Sequence, residues 1–236
     1  MMKLLHRAFF LLFAVTLLPS AETIDRIVAT VNGRPLMESE LAESMLVEQF
    51  LGGKPPDLVP VGEQRAALGR LVDQTLLQEQ MDAVNFEMPL AEEVNKRMQE
   101  LRQQIAPNFS GDAWRRSLSS YGLTEADLAA HVASELRTLH FVDARFRPAV
   151  RVDRAAVEAY YREQLVPKMK RAGADPLPLK QVEARIVEVL IQQQMDDLLE
   201  SWLKTLRTQS EIRLPVPSSA AGAIQPEAQP HAAEQR

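Results

Sequence analysis

Ile24-Asp25-Arg26-Ile27-Val28-Ala29-Thr30-Val31-Asn32-Gly33-Arg34-Pro35-Leu36-Met37 reads as strand, tight turn and returning strand. Its first eight residues are rich in β-branched side chains, which suit a pleated, half-buried surface. Asn32-Gly33 supplies the two positive-φ positions of a two-residue hairpin turn. Pro35 has no backbone N–H to give, so the returning strand belongs at a sheet edge. Just beyond it, Ser39 is placed as N-cap of a helix from about Glu40 to Phe50, with Leu41, Met45 and Leu46 on one face. Gly52 to Pro60 is a loop by composition.

Downstream, the apolar spacing is that of helices. Leu68, Leu71, Val72 and Leu76 recur at steps of three and four within a helix from about Gly62 to Val84. Pro89 suits the first turn of a third helix, which carries Val94, Met98, Leu101 and Ile105 and stops before Pro107. Ser110 caps a short fourth helix with Trp114, Leu118 and Tyr121, and Gly122 ends it. Thr124 and Asp127 form a capping box for a long helix through Leu128, Val132, Leu136 and Leu139 towards Phe146. Asp153 caps the next helix, with Val157, Tyr160 and Tyr161 on its apolar side, and Pro167, Gly173, Pro176 and Pro178 mark an irregular stretch. A final helix runs from Leu179 to Gln209, with Val187, Ile191, Met195, Leu198, Trp202 and Leu206 as its main stripe. That stripe is widened by Ile186, Leu190, Leu199 and Leu203, so several neighbours must bury it. Glu211 to Leu214 reads as a short strand, and 215–236 as a disordered tail poor in large apolar residues.

Upstream, Lys3 and Arg7 precede the apolar run Ala8 to Leu18, and Pro19-Ser20-Ala21 follows with small residues. This is the layout of a cleavable secretory signal peptide, 1–21. The run is shorter than the roughly 20 residues of a membrane span. The expected address is the periplasm. Over the 236 residues, 46% are hydrophobic and 25% charged, with 8 Phe, 3 Tyr, 2 Trp and 9 Gly. Those values exclude a wholly disordered chain and disfavour an all-β sandwich. The absence of cysteine removes disulfides, a thiol nucleophile and thiolate metal sites. A formal charge of −5 argues against nucleic acid as partner.

This order of elements resembles the N-terminal chaperone module of SurA-like periplasmic proteins. The resemblance is carried by Ile24 to Gly33 with Leu36 and Ser39-Glu40-Leu41, and by Leu71-Val72-Asp73-Gln74-Thr75-Leu76-Leu77-Gln78-Glu79. Tyr121-Gly122-Leu123-Thr124 with Asp127-Leu128, then Val152-Asp153 with Val157-Glu158-Ala159-Tyr160-Tyr161, continue it. Val182 to Leu206 resembles the family's returning helix. It implies a mainly α, multi-helix module over 22–214, with a small β-hairpin near the N-terminus and a long closing helix. In that family a parvulin-type prolyl isomerase domain usually sits between the exit and returning helices. Here only 162–181 lies between them, where a separate domain needs roughly 100 residues. The protein is therefore read as a non-enzyme with no catalytic residues. Residual prolyl isomerase activity, or a single fixed partner in the envelope, are the rival readings.

No cofactor is indicated. Gly53-Lys54 is followed by Pro55 where a phosphate loop needs Ser or Thr, so a chaperone cycle would run without bound ATP. His131 and His140 are too far apart in sequence to share a helix face as metal ligands. The expected partners are unfolded outer-membrane or periplasmic polypeptides, held in an apolar groove between helices. The candidate peptide-binding residues are Met45, Phe50, Met98, Phe109, Trp114 and Tyr121, because Met adapts to varied apolar partners and Tyr or Trp presents an apolar body with a polar tip. Strand addition near Ile24–Val31 is a second expected mode. Arg137, Arg145, Arg147, Arg151 and Arg154 cluster around one helix exit. They read either as a solvated face paired with local acids or as a contact for anionic lipid headgroups.

Overall fold

A computed structural model describes residues 25–56, 60–108 and 110–215. The expected signal peptide and Phe109 lie outside the described residues, as does the expected tail apart from Pro215. Strands β1 (Ile27–Val31) and β2 (Arg34–Met37) are followed by helices α1 (Glu38–Leu51), α2 (Val61–Ala83), α3 (Ala91–Ile105), α4 (Gly111–Ser119) and α5 (Glu125–Phe146). Then come α6 (Arg154–Tyr160), α7 (Val166–Arg171), α8 (Leu179–Gln209) and β3 (Ile212–Arg213). The mainly helical architecture, the hairpin and the long last helix match the sequence reading.

The hairpin turn holds Asn32 at φ 49° and Gly33 at φ 85°, a left-handed pair that Asn and Gly adopt at least cost. The sheet order is β2-β1-β3, with both pairings antiparallel. Pro35 therefore sits on an edge strand, as its missing donor requires. Strand β1 is central at Thr30 and Val31, where β3 pairs with it. The expected strand-addition edge is thus occupied there by the chain itself, and among the described residues the Ile27–Ala29 part of β1 has no strand partner on that side. Asn32 locks this junction. Its Oδ1 accepts from Glu211 N at 2.9 Å, and its Nδ2 donates to Glu79 at 2.6 Å.

Helix α1 starts earlier than expected. Glu40 accepts from the Met37 N–H at 2.8 Å, and Ser39 lies within the first turn, donating to Asp25. Asp25 captures the hydroxyl that was expected to cap the helix. Ser39's hydrogen bonds hold the exposed Asp25 carboxyl below the usual carboxylate range. Pro89 precedes rather than opens α3, where Glu93 accepts from the Leu90 N–H at 3.0 Å. The caps at Ser110, Thr124 and Asp153 form as expected.

The stretch read as irregular around Pro167 is helical as far as Arg171. A π turn, Tyr161–Leu165, joins α6 to α7, and Pro167 lies in the first turn of α7. A wide turn just before proline absorbs the missing N–H and the ring's bulk without ending the helix. Among the described residues, 162–181 holds this arm and a short loop, with no further domain.

The core has two ends. Ala29, Val31 and Leu36 from the sheet pack on Val72 and Leu76 of α2 and Leu206 of α8. Val142, Phe146, Val150 and Met195 extend that end, and Leu77, Met81 and Phe141 join it to Trp202. The other end gathers Val47, Phe50, Ala106, Trp114, Leu118, Leu123 and Leu128. Helix α5 runs through both.

Candidate functional site

The second core end gathers four of the six residues expected to bind peptide. Phe50, Met98, Trp114 and Tyr121 fall in one apolar cluster built by α1, α3, α4 and the start of α5. The Phe50 ring stands edge-on to both Trp114 and Tyr121, each with centroids 5.3 Å apart. Such pairs add about 0.5–1.5 kcal/mol beyond area burial. Tyr121 is half-buried, and its hydroxyl donates to the Lys54 carbonyl at 2.7 Å. That bond ties the loop after α1 to the end of α4.

Burial divides these residues. Phe50 and Trp114 are each 2% exposed, so as they stand they form the floor of the cluster and offer almost no free surface. Met98, Met45 and Tyr121 are half-buried and reach solvent. Phe109 lies outside the described residues. Met45 does not join the cluster. It lines a separate cavity between α1 and α2, of about 270 Å³, beside the Arg70–Glu48 ion pair.

Above the floor lies a cavity of about 470 Å³, bounded by Met98, Trp114, Ala126 and Ala129 and rimmed by Asn95, Gln99, Arg102 and Glu125. Three helices position it. The capping box at Thr124 sets the entry of α5, with the Asp127 N–H donating to Thr124 Oγ1 at 3.2 Å and the Thr124 N–H to Asp127 Oδ2 at 2.8 Å. The Thr124 N–H foremost, and the Thr124 hydroxyl that donates to Asp127 Oδ2 at 2.8 Å, hold the exposed Asp127 carboxyl below its ordinary range. Gly122, at φ 71°, makes the preceding turn, and Leu123 N–H donates back to the Leu118 carbonyl at 3.1 Å. The site has an apolar base and a mixed polar rim. Sequence reading missed the rim, because exposed polar residues on a helix leave no periodic signal.

The arginine cluster is spent inside the molecule. Arg137 is largely buried and donates twice to the Phe86 carbonyl, at 3.1 and 2.7 Å, and pairs with Asp82 at 2.9 Å. Arg145 lies over the Trp202 ring, 4.1 Å from its centroid. Arg147 pairs with Asp143 and Glu188, which together raise its pKa. Arg151 donates to two backbone carbonyls at 2.8 Å, and Arg154 pairs with Glu158. These contacts fit the reading of a face paired with local acids and backbone carbonyls. Among the described residues, no group of three or more His, Asp or Glu side chains is arranged to hold a metal, and no helix is long and apolar enough to cross a membrane.

A family model described as the SurA-like N-terminal domain matches residues 2–142. No curated protein matches the sequence. Among solved structures, the chain is similar to one of a pair of SurA-like chaperones of Campylobacter jejuni, the virulence factor PEB4 and the periplasmic protein Cj1289. The TM-score is 0.49 at 10% identity, covering 80% of this chain and 98% of that one.

Proposed function

The chain belongs to the SurA-like N-terminal domain family, and from that premise we propose that it is an ATP-independent holdase. Its clients are unfolded outer-membrane or periplasmic chains. The observation that carries the reading is the cavity between α3, α4 and α5, with Met98 at its wall and the Trp114–Phe50 aromatic floor beneath it. Met98 and Tyr121 supply adaptable contacts here and Met45 does so at the separate cavity between α1 and α2, and Phe109 belongs to the same proposed set. Phe50 and Trp114 act from below by shaping the base.

Weak binding is the useful regime. Three or four captured side chains contribute roughly 1.5–3 kcal/mol each, and ordering a flexible client costs about 2–5 kcal/mol. The net of roughly 0–10 kcal/mol reaches micromolar affinity only towards its upper end, and release needs no nucleotide. The proposed mature chain begins after Ser20 or Ala21 and works in the periplasm as a module spanning 22–214. N-terminal sequencing of the exported protein checks the cut.

The test is light scattering of a denatured outer-membrane barrel protein diluted with and without the purified chain. Stoichiometric chain should suppress scattering, and Met98→Glu should lose most of that suppression while keeping its helical circular dichroism. Unchanged aggregation in the presence of the wild-type chain rejects the holdase. Prolyl isomerase activity is expected at background in a proline-peptide assay, and turnover above it would restore the enzymatic rival.

A further inference from the structure

The arm formed by the π turn and α7, with the loop back to α8 and the first turns of that helix, carries an excess of cations. From 162 to 185 it carries Arg162, Lys168, Lys170, Arg171, Lys180 and Arg185 against only Glu163, Asp175 and Glu183, in a chain of formal charge −5. No carboxylate occurs from Gln164 to Ala174. All six cations are exposed. Several arginines elsewhere are tied up, as in Arg70–Glu48, Arg137–Asp82, Arg147–Glu188 and Arg207–Asp73. Here no ion pair forms among the described residues, and Arg171 donates only to the Pro167 carbonyl at 3.3 Å.

The tip also has an apolar point and a fixed shape. Leu177 is 47% exposed between Pro176 and Pro178. Tyr161 Oη donates to the Leu177 carbonyl at 2.7 Å, which fastens the loop to the arm. Gly173, at φ 73°, ends α7, with Ala174 N–H returning to the Met169 carbonyl at 3.0 Å. None of the cavities described above reaches this tip. Exposed cations without ion pairs, together with an exposed leucine on a pinned loop, fit a planar anionic surface. A concave acidic partner would call for fixed bidentate arginines instead.

We propose that this tip, through Lys168, Lys170, Arg171 and Leu177, is a peripheral docking site for an anionic phospholipid surface. The negative body is repelled by such a surface and the tip attracted, so the arm points at the bilayer and the proposed client cavity is left free. Each cation near the surface strengthens binding about fivefold. The attraction falls as the screening length shrinks from about 10 Å at 0.1 M salt to about 3 Å at 1 M.

The experiment is co-sedimentation of the full chain with phosphatidylcholine vesicles, with and without phosphatidylglycerol, at low and high salt. The ratio between the two vesicle types is the readout, compared between wild type and variants so that the N-terminal apolar run cancels. The wild type should prefer the anionic vesicles, and salt should remove the preference. The triple variant Lys168→Gln, Lys170→Gln, Arg171→Gln should lower anionic binding about 100-fold, and Leu177→Ser about tenfold, with circular dichroism unchanged. A preference retained by the triple variant, or equal binding to both vesicles, overturns the proposal. Binding of polyglutamate that depends on the three cations, without any vesicle preference, overturns it in favour of an acidic polypeptide partner. Client binding plays no part in this readout, so its failure is separable from that of the holdase reading.

Discussion

Arg137 does three jobs with one fork of donors. It stitches the Phe86 carbonyl and Asp82, at the end of α2, to the flank of α5. With the arginine largely buried, Arg137→Ala leaves that carbonyl unpartnered and should cost about 2 kcal/mol in urea denaturation. Arg137→Lys should recover less than half, because a single ammonium cannot reproduce the fork. Asp127 makes a pH argument at the same scale. Its folded-state pKa lies below the ordinary 3.8 because Thr124 donates to it. Its stabilising contribution is therefore complete above that value and disappears as pH falls through the lower, folded-state pKa. Asp127→Asn should be less stable than wild type at neutral pH, and the gap should close below about pH 4 in an acid titration of stability. The site was partly legible at this scale. Phe50, Met98, Trp114 and Tyr121 were singled out by residue type, and the fold assembles them. Their burial was not legible, since a helical stripe of apolar residues carries the same signal whether it lines a groove or fills a core.

Single elements show where local chemistry suffices. The bounds of α8, the hairpin turn and the caps at Ser110, Thr124 and Asp153 follow from short-range rules and appear as read. Departures occur where a distant group intervenes. Ser39 has the right type for a cap, but Asp25, which precedes the hairpin, takes its hydroxyl. Pro167 has the right type for a break, but the π turn before it relieves the clash. Gly122 tests the short-range side. A Cβ there would meet nothing within 4 Å, so Gly122→Ala should cost only the backbone's left-handed strain, about 1 kcal/mol by thermal melting.

At the scale of the molecule, the last helix is what the rest leans on. Trp202 lies against Phe141 and Phe146, with centroids 6.0 and 5.6 Å apart, under the Arg145 guanidinium. It touches three of the four apolar clusters. Trp202→Ala should cost about 3 kcal/mol. The loss should broaden the unfolding transition, since the cluster around Trp114 has no α8 side chain and can persist. Fluorescence and far-UV circular dichroism, followed in the same denaturant series, should then give different midpoints in the variant and one midpoint in the wild type.

The seam between β1 and β3 also sets an order of events. Asn32 and Glu211 are joined across 179 positions, so the sheet can be zipped only after nearly the whole chain has emerged from its ribosome. Contacts of such long span form slowly. A nascent copy thus stays open until α8 and the residues just after it arrive, which makes Glu211 to Arg213 the latch that commits it to its finished form.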